Sequence, residues 1–379
     1  MHQRSIGQMS IYEAEALNIK KNLCSALENI STTYADKGHS EEKSVLNISN
    51  TKVNRMFLKS GCVMVVVLIA LMAMTFTASA EQRFGIVFST GGLGDLSFND
   101  AALHGLQKAK RDMGISFQFI EPKDVEHLED HLIAFATENY DLVFAIGFQH
   151  ESALKQVAQD FPHIKFAIVD SVVSAPNVSS LVFMEHDGSF LVGVLAGMMT
   201  ESNIVGFVGG LEVPIIRKFQ SGFEQGVGSV NPDARVLVDY AQSFRAPALG
   251  KELAISQNKR GADIVYHASG ATGIGVIFAA QENGFYAIGV DSVQDHLAPG
   301  TVLTSMVKRV DVAVYETIRS LVEGDFQPGM RHFGVAEDGV GTSDFQYTRD
   351  IIPQAVHDAV ESAKAKIISG EIVVIDPTR

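Results

Sequence analysis

Short apolar runs separated by stretches of helical periodicity recur from Phe84 to Lys308, and this alternation constrains the fold more than any other feature of the chain. The runs are Phe84–Phe88, Ser116–Ile120, Leu142–Ile146, Lys165–Val169, Ser180–Phe183, Ile204–Val208, Arg235–Tyr240, Ile264–His267, Tyr286–Val290 and Val302–Lys308. Most are continuously apolar, as strands covered on both faces are. Between them apolar positions recur at i, i+3 and i+4; in Phe98–Met113 they are Phe98, Ala102, Leu106 and Ala109. Such alternation predicts an α/β protein with parallel sheets. A pause at Ser171–Asn177 (SVVSAPN) divides it, and a second series opens with Asp187–Met199 and Ile204–Gly209. The expected architecture is two doubly wound parallel-sheet lobes with a ligand cleft between them.

In such sheets ligands bind beyond the carboxyl ends of the strands. Those ends here are the 89–99 loop, Gly147–Gln149, Asp170–Ser171, Gly209–Lys218, Ser269–Gly275, Asp291–Ser292 and Lys308, and they are far more polar than the strands. The loop GGLGDLSFND lacks the third glycine of a dinucleotide fingerprint and the Gly-Lys-Ser/Thr of a P-loop. Its Asp95, Ser97 and Asn99 exceed what one helix cap uses, so at least one is expected to face a ligand. Asp170 and Asp291 each close an apolar strand, where a carboxylate can accept two hydrogen bonds from a vicinal diol. Lys308 closes another and either pairs with Asp291, reaches the ligand or stays solvated. In VPIIRKFQSGFEQG, Phe223 reads as core, Phe219 equally as core or as a stacking face, and Arg217 as a polar lid. The turn SGATGIGV offers backbone N–H groups through its glycines, a weak signal taken alone. No HExxH, paired metal spacing or G-x-S-x-G elbow occurs, so no catalytic residue, metal ligand or cofactor is expected.

The segment Met56–Ala80 has the parts of a secretory signal: Lys59, an apolar run from Val63 to Phe76, and Ala78-Ser79-Ala80 for cleavage after Ala80. The alternative is an uncleaved membrane anchor through 61–80. Residues 1–55 form a polar extension, and Met56 is the expected start of the translated protein. Both cysteines, Cys24 and Cys62, precede Ala80, so disulfides and cysteine metal sites are excluded beyond it. Cys62 stands at the start of the apolar run rather than its end, which argues against lipid attachment. The chain carries 44 acidic against 30 basic residues, a formal charge of −14, and the acidic excess lies wholly beyond Ala80. Nucleic acid is thereby disfavoured as a partner.

The GGLGDLSFND loop, IVD at 168–170, HDGSFLVGVLAGMM at 186–199, VPIIRKFQSGFEQG, ASGATGIG, GVDSVQ at 289–294 and LTSMVKR at 303–309 together resemble the basic membrane protein family. These are bacterial substrate-binding proteins of ABC importers, typified by purine nucleoside receptors. The resemblance runs in order from about Arg83 to Arg379. It implies a type I periplasmic binding protein fold with three crossovers between lobes, the first lobe comprising 83–184 and 309–330, the second 185–308 and 331–379. Carried over by position, Asp95, Phe98, Asn99 and Asp170 fall on the first-lobe wall, and Arg217, Phe219, Gly270, Asp291 and Lys308 on the second. Without tryptophan, any stacking uses Phe or Tyr, with Phe148, Phe219 and Phe88 available. Many relatives carry an acid where Ser89 stands, and many are lipoproteins, so this chain departs from the pattern twice. The implied function is a monomeric periplasmic receptor that binds a purine nucleoside-like ligand and docks on an inner-membrane ABC permease. Three alternatives stand beside it: a receptor for riboflavin or another polyhydroxylated molecule, an exported enzyme acting on nucleosides, and a membrane-anchored sensor.

Overall fold

A computed structural model describes residues 82–378; the extension 1–55, the signal segment 56–80 and both cysteines lie outside the described residues. The first series comprises β1 (Arg83–Val87), α1 (Phe98–Met113), β2 (Ser116–Ile120), α2 (Leu128–Thr137), β3 (Leu142–Ile146), α3 (Glu151–Asp160), β4 (Lys165–Val169) and β5 (Val178–Phe183). The second comprises α4 (Glu185–Met199), β6 (Ile204–Gly209), α5 (Pro214–Val230), β7 (Arg235–Tyr240), α6 (Pro247–Lys259), β8 (Ile264–Ala268), α7 (Thr272–Asn283), β9 (Tyr286–Asp291) and β10 (Val302–Lys308). The chain then adds α8 (Val310–Val322), β11 (Gly329–Phe333), β12 (Val340–Thr342) and α9 (Gln354–Ser369).

Two six-stranded sheets result, ordered β11-β5-β4-β3-β1-β2 and β12-β10-β9-β8-β6-β7. Every strand pair is parallel except β10 with β12. All ten sequence-predicted strands are present within two residues of their expected bounds. Continuous apolar composition marks the interior strands: β3 is buried at every residue. The edge strand β2 alternates instead, and Phe119 on it is exposed. In each sheet the direction of strand addition reverses, at β1/β3 in one and β6/β8 in the other. At such a switch point the loops diverge to opposite faces and leave a crevice.

The chain passes between sheets after Phe183, after Lys308 and after Phe333. The last passage falls later than the expected boundary at 330, because β11 pairs with β5 in register from Gly329↔Ser179 to Phe333↔Phe183. Residues Gly329–His332 are largely exposed, so this strand carries little of the apolar signature that betrays the others.

The second sheet is backed by a tightly packed helix pair. Helix α4 is buried along almost its whole length, and it lies against α5 with backbones in contact. Methyl groups added at Gly193, Gly222 and Gly226 would fall 2.4, 2.1 and 2.2 Å from the carbonyl oxygens of Phe223, His186 and Phe190. The obstruction is backbone, which no rotamer change relieves. Gly222→Ala should therefore destabilise the fold by about 1–3 kcal/mol through overpacking. Gly228→Ala, on the same helix with nothing near its would-be methyl, should instead gain about 0.5–1 kcal/mol of helix propensity. Urea unfolding of both variants tests this; equal effects would refute backbone contact as the reason for the glycines.

Candidate ligand-binding site between the sheets

The carboxyl ends of both sheets converge on a cavity partly open to solvent, with about 600 Å³ of empty space when the open solvent at its mouth is included. Its lining draws on both: Ser89, Gly91, Asp95, Phe98, Asn99, Phe148, Gln149 and Asp170 from the first series, and Ile215, Ile216, Phe219, Phe244, Ala268, Ser269, Gly270, Val290, Asp291 and Lys308 from the second. Nine of the eleven sequence-predicted residues thus meet at one place: Asp95, Phe98, Asn99, Phe148, Asp170, Phe219, Gly270, Asp291 and Lys308.

The 89–99 loop spends most of its polar groups on its own shape. Asp95 Oδ1 accepts the N–H groups of Ser97 and Asp100 at 2.9 and 3.2 Å, and Oδ2 accepts the N–H and side-chain Nδ2 of Asn99 at 2.9 and 3.0 Å. Asn99 Oδ1 in turn accepts Ser89 N–H and Oγ–H at 3.1 and 3.0 Å, tying the end of β1 to the start of α1. Both side chains are buried at the cavity floor, and their hydrogen bonds close within the loop. Ser97 stands at the N-cap of α1 yet makes no capping bond with its side chain. Its hydroxyl reaches across to Asp291 Oδ2 at 2.5 Å. Further bonds join the two series here: Ser292 Oγ to Ser97 O at 3.2 Å, Gln294 Nε2 to Leu96 O at 3.1 Å and Arg245 Nε to Gly91 O at 2.8 Å.

Asp170 and Asp291 follow or end corresponding strands, and both adopt left-handed backbone, with φ of 67° and 62°. Asp tolerates this region better than most residues. Each strand therefore terminates abruptly with a carboxylate turned toward the cavity. Lys308 pairs with Asp170, not with Asp291: Nζ donates to both Asp170 oxygens, at 2.6 and 2.7 Å. It also lies 3.0 Å from Glu185 Oε1. Glu185 Oε2 accepts Lys218 Nζ at 2.7 Å, and Lys218 donates to Phe183 O at 3.0 Å.

Burial opposes the charge on Lys308, but Asp170, Glu185 and Asp291 outweigh it and hold the ammonium well above its ordinary range. At Asp291 the compensation falls short. Burial pushes its carboxyl up to about 7, against the pull of Lys308 and the Ser97 hydroxyl.

Rings enter from both sides: Phe98 and Phe148 from the first series, Phe219 and Phe244 from the second. The Lys308 ammonium sits 5.1 Å from the Phe98 centroid and 5.6 Å from that of Phe219, within cation–π range of each. Phe88 is not among them. It is wholly buried, against Phe119 at 5.6 Å, because it prolongs β1 into the core. Phe223 is core, as expected, packed on Tyr266 at 5.1 Å. Arg217 faces away, 57% exposed with Glu212 Oε1 at 2.7 Å, since it lies on a different side of α5 from Phe219. Ser97 lies behind Asp291 rather than at the cavity surface.

Phe244 was missed by sequence reasoning. It follows the edge strand β7, whose mixed polarity hides it, although the strand-end rule extended to residue 245 would have included it. Glu185 and Lys218 were missed too. Charged residues beside apolar runs ordinarily read as solvated, and only the packing reveals that both are buried. Among the described residues no cluster of His, Cys, Asp or Glu is arranged to hold a metal, and no helix is long and apolar enough to cross a membrane.

The family model described as "ABC transporter substrate-binding protein PnrA-like" matches residues 84–378. The CD4+ T-cell-stimulating antigen of Listeria monocytogenes is 36% identical over 321 residues, covering 78% of this chain and 89% of that protein. Basic membrane protein A2 of Borrelia garinii is 32% identical over 296 residues, covering 76% and 87%. An uncharacterized lipoprotein of Pyrococcus abyssi is 33% identical over 316 residues, covering 79% and 77%. Among solved structures, an ABC transporter solute-binding protein of Aeropyrum pernix superposes with a TM-score of 0.74 at 30% identity, covering 79% of this chain and 94% of that one. The two sheets with their three crossings are accordingly those of the type I periplasmic binding fold. With the match extending over almost every described residue, the chain belongs to the PnrA-like family of ABC transporter substrate-binding proteins.

Proposed function

We propose that this protein is an exported receptor that closes two lobes over a purine nucleoside-like ligand and delivers it to an inner-membrane ABC permease, working as a monomer without covalent chemistry. The lobes are 83–184 with the α8–β11 segment, and α4 through β10 with the C-terminal segment. The observation that carries the reading is the composition of the cavity: phenylalanine rings from both walls, with Asp170, Asp291 and Lys308 between them. Rings stack on a flat base, while carboxylates accept from the paired hydroxyls of a sugar. A ligand touching both walls favours the state in which they meet, which is the basis of closure. Asp291 is the acid best placed for the sugar, because Ser97 occupies one oxygen and leaves the other, whereas Lys308 engages both oxygens of Asp170.

Native mass spectrometry of the purified protein, followed by titration with inosine, guanosine, adenosine and riboflavin, tests the reading. A co-purifying purine nucleoside, or binding of nucleosides in preference to riboflavin, is the expected result. Silence toward all nucleosides would overturn it and leave the family assignment untouched. Phe219→Ala should lose about 0.5–1.5 kcal/mol of stacking beyond the lost apolar contact, read by calorimetric titration. Normal affinity with lowered stability would make Phe219 core only.

A pH dependence follows from Asp291. Unfolded, an aspartate ionises near 3.8; in the folded protein burial pushes Asp291 up to about 7. Its contribution to stability is therefore full below about 4 and lost as the pH rises through 7. A ligand that donates to the ionised form reverses this, so inosine affinity should fall as the pH is lowered from about 8 to 6. Asp291→Asn should bind roughly 10- to 100-fold more weakly at pH 8 and lose this part of the slope. An unchanged slope in Asp291→Asn would remove the carboxylate from the ligand contact.

A further inference from the structure

Ser269 lines the cavity immediately after β8, almost wholly buried, and its neighbours determine which way its hydroxyl points. Its Oγ lies 3.4 Å from His267 Nδ1, on the side that the strand pleat shares between residues i and i+2. His267 Nε2 lies 3.0 Å from Gln294 Oε1. Gln294 is itself fixed at both ends: Oε1 accepts the Val290 N–H at 2.9 Å, and Nε2 donates to the Leu96 carbonyl at 3.1 Å. Turning the amide over would set donor against donor at Val290 and acceptor against acceptor at Leu96. Oε1 must therefore face His267, and an acceptor there requires the imidazole to carry its proton on Nε2. Nδ1 is left with a lone pair, which takes the Ser269 proton. Burial lowers His267 to about 4, against the bond to Gln294, so the ring stays neutral across physiological pH. The ring packs directly on the backbone of Gly273, in the first turn of α7, where a methyl would fall 1.9 Å from Nδ1.

We infer that Ser269 is a specificity-determining residue that shows the cavity only acceptor lone pairs, and that His267 and Gln294 are positioning residues that enforce this polarity. The occupant must then offer an N–H or O–H group to Ser269. The inference rests on the cavity being the ligand site proposed above and adds to it the sign of one hydrogen bond. An acceptor presented at this spot would meet Ser269 with no proton to share, and such a mismatch is rejected more strongly than a missing methylene. The relay also reaches the opposite wall, since the amide that orients His267 holds the Leu96 carbonyl of the 89–99 loop.

Two measurements test this. The first is long-range ¹H–¹⁵N NMR of His267 in the full unliganded protein. The expected ring is neutral, protonated on Nε2 and unchanged from about pH 5 to 8; protonation on Nδ1, or a charged ring, overturns the proposal whatever the ligand proves to be. The second compares inosine with 2′-deoxy-, 3′-deoxy-, 5′-deoxy- and 1-methylinosine on wild type, Ser269→Ala and Ser269→Thr. One analogue should lose tenfold or more on wild type and nothing further on Ser269→Ala, with the Thr variant restoring the difference. If every analogue keeps its wild-type loss on Ser269→Ala, Ser269 contacts no ligand donor and the proposal fails. If wild type binds no nucleoside, the nucleoside reading fails instead, and the His267 tautomer alone decides the relay.

Discussion

A buried ammonium governs how the two halves of this protein meet. Lys308 is almost inaccessible at the end of β10, and a lone charge there would be expelled by its desolvation cost. It is retained because Asp170, at the end of β4, and Glu185, at the start of α4, lie within 3.0 Å of it. Glu185 is fixed in turn by Lys218 on α5 and by the favourable N-terminal end of its own helix. Lys308 and Glu185 stand at passages between the sheets, and Asp170 and Lys218 reach them from opposite series, so the network works only when both series are folded and in place. Buried ion pairs are weak contributors to net stability, but removing one partner leaves an uncompensated charge and is strongly destabilising. The network is thus better understood as a specification of geometry than as a source of stability.

That geometry leaves a cavity whose polarity is divided unevenly between its walls. The first wall supplies rings and a loop whose carboxylate and amide are consumed in holding the loop itself. The second supplies two acceptors with spare capacity, one oxygen of Asp291 and the Ser269 hydroxyl. Left-handed backbone at Asp170 and Asp291 ends their strands by the same device, and the partners differ. One carboxylate is neutralised by an ammonium, the other is held near its titration point by burial. Two similar strand ends therefore perform different tasks, and the difference lies in what each sheet brings opposite them.

Much of this was legible in the chain. The ten apolar-rich runs announced the ten main strands, most clearly where, as in β3, burial on both faces leaves no polar position to obscure the signal. The polar strand ends announced the cavity, because ligand chemistry in this architecture has nowhere else to go. β11 and β12 were not legible: they are short, partly exposed, and owe their pairing to strands more than a hundred residues or only a few dozen residues away. Arg217 and Phe88 were misplaced for a related reason. A residue's position along a helix or strand is written locally, but which side of that element meets the cavity depends on the neighbours.

The sequence by itself determined the α/β class, the order of strands and helices, the family and the approximate place of the site, since these follow from periodicity and from residues adjacent in the chain. Only the tertiary structure decided how the charges pair, which polar groups remain free for a ligand and which tautomer His267 adopts. Each of those depends on partners distant in sequence: Lys308 with Asp170, Ser97 with Asp291, Leu96 with Gln294. A hydrogen bond or ion pair is made over about 3 Å, a distance that only the folded chain can set.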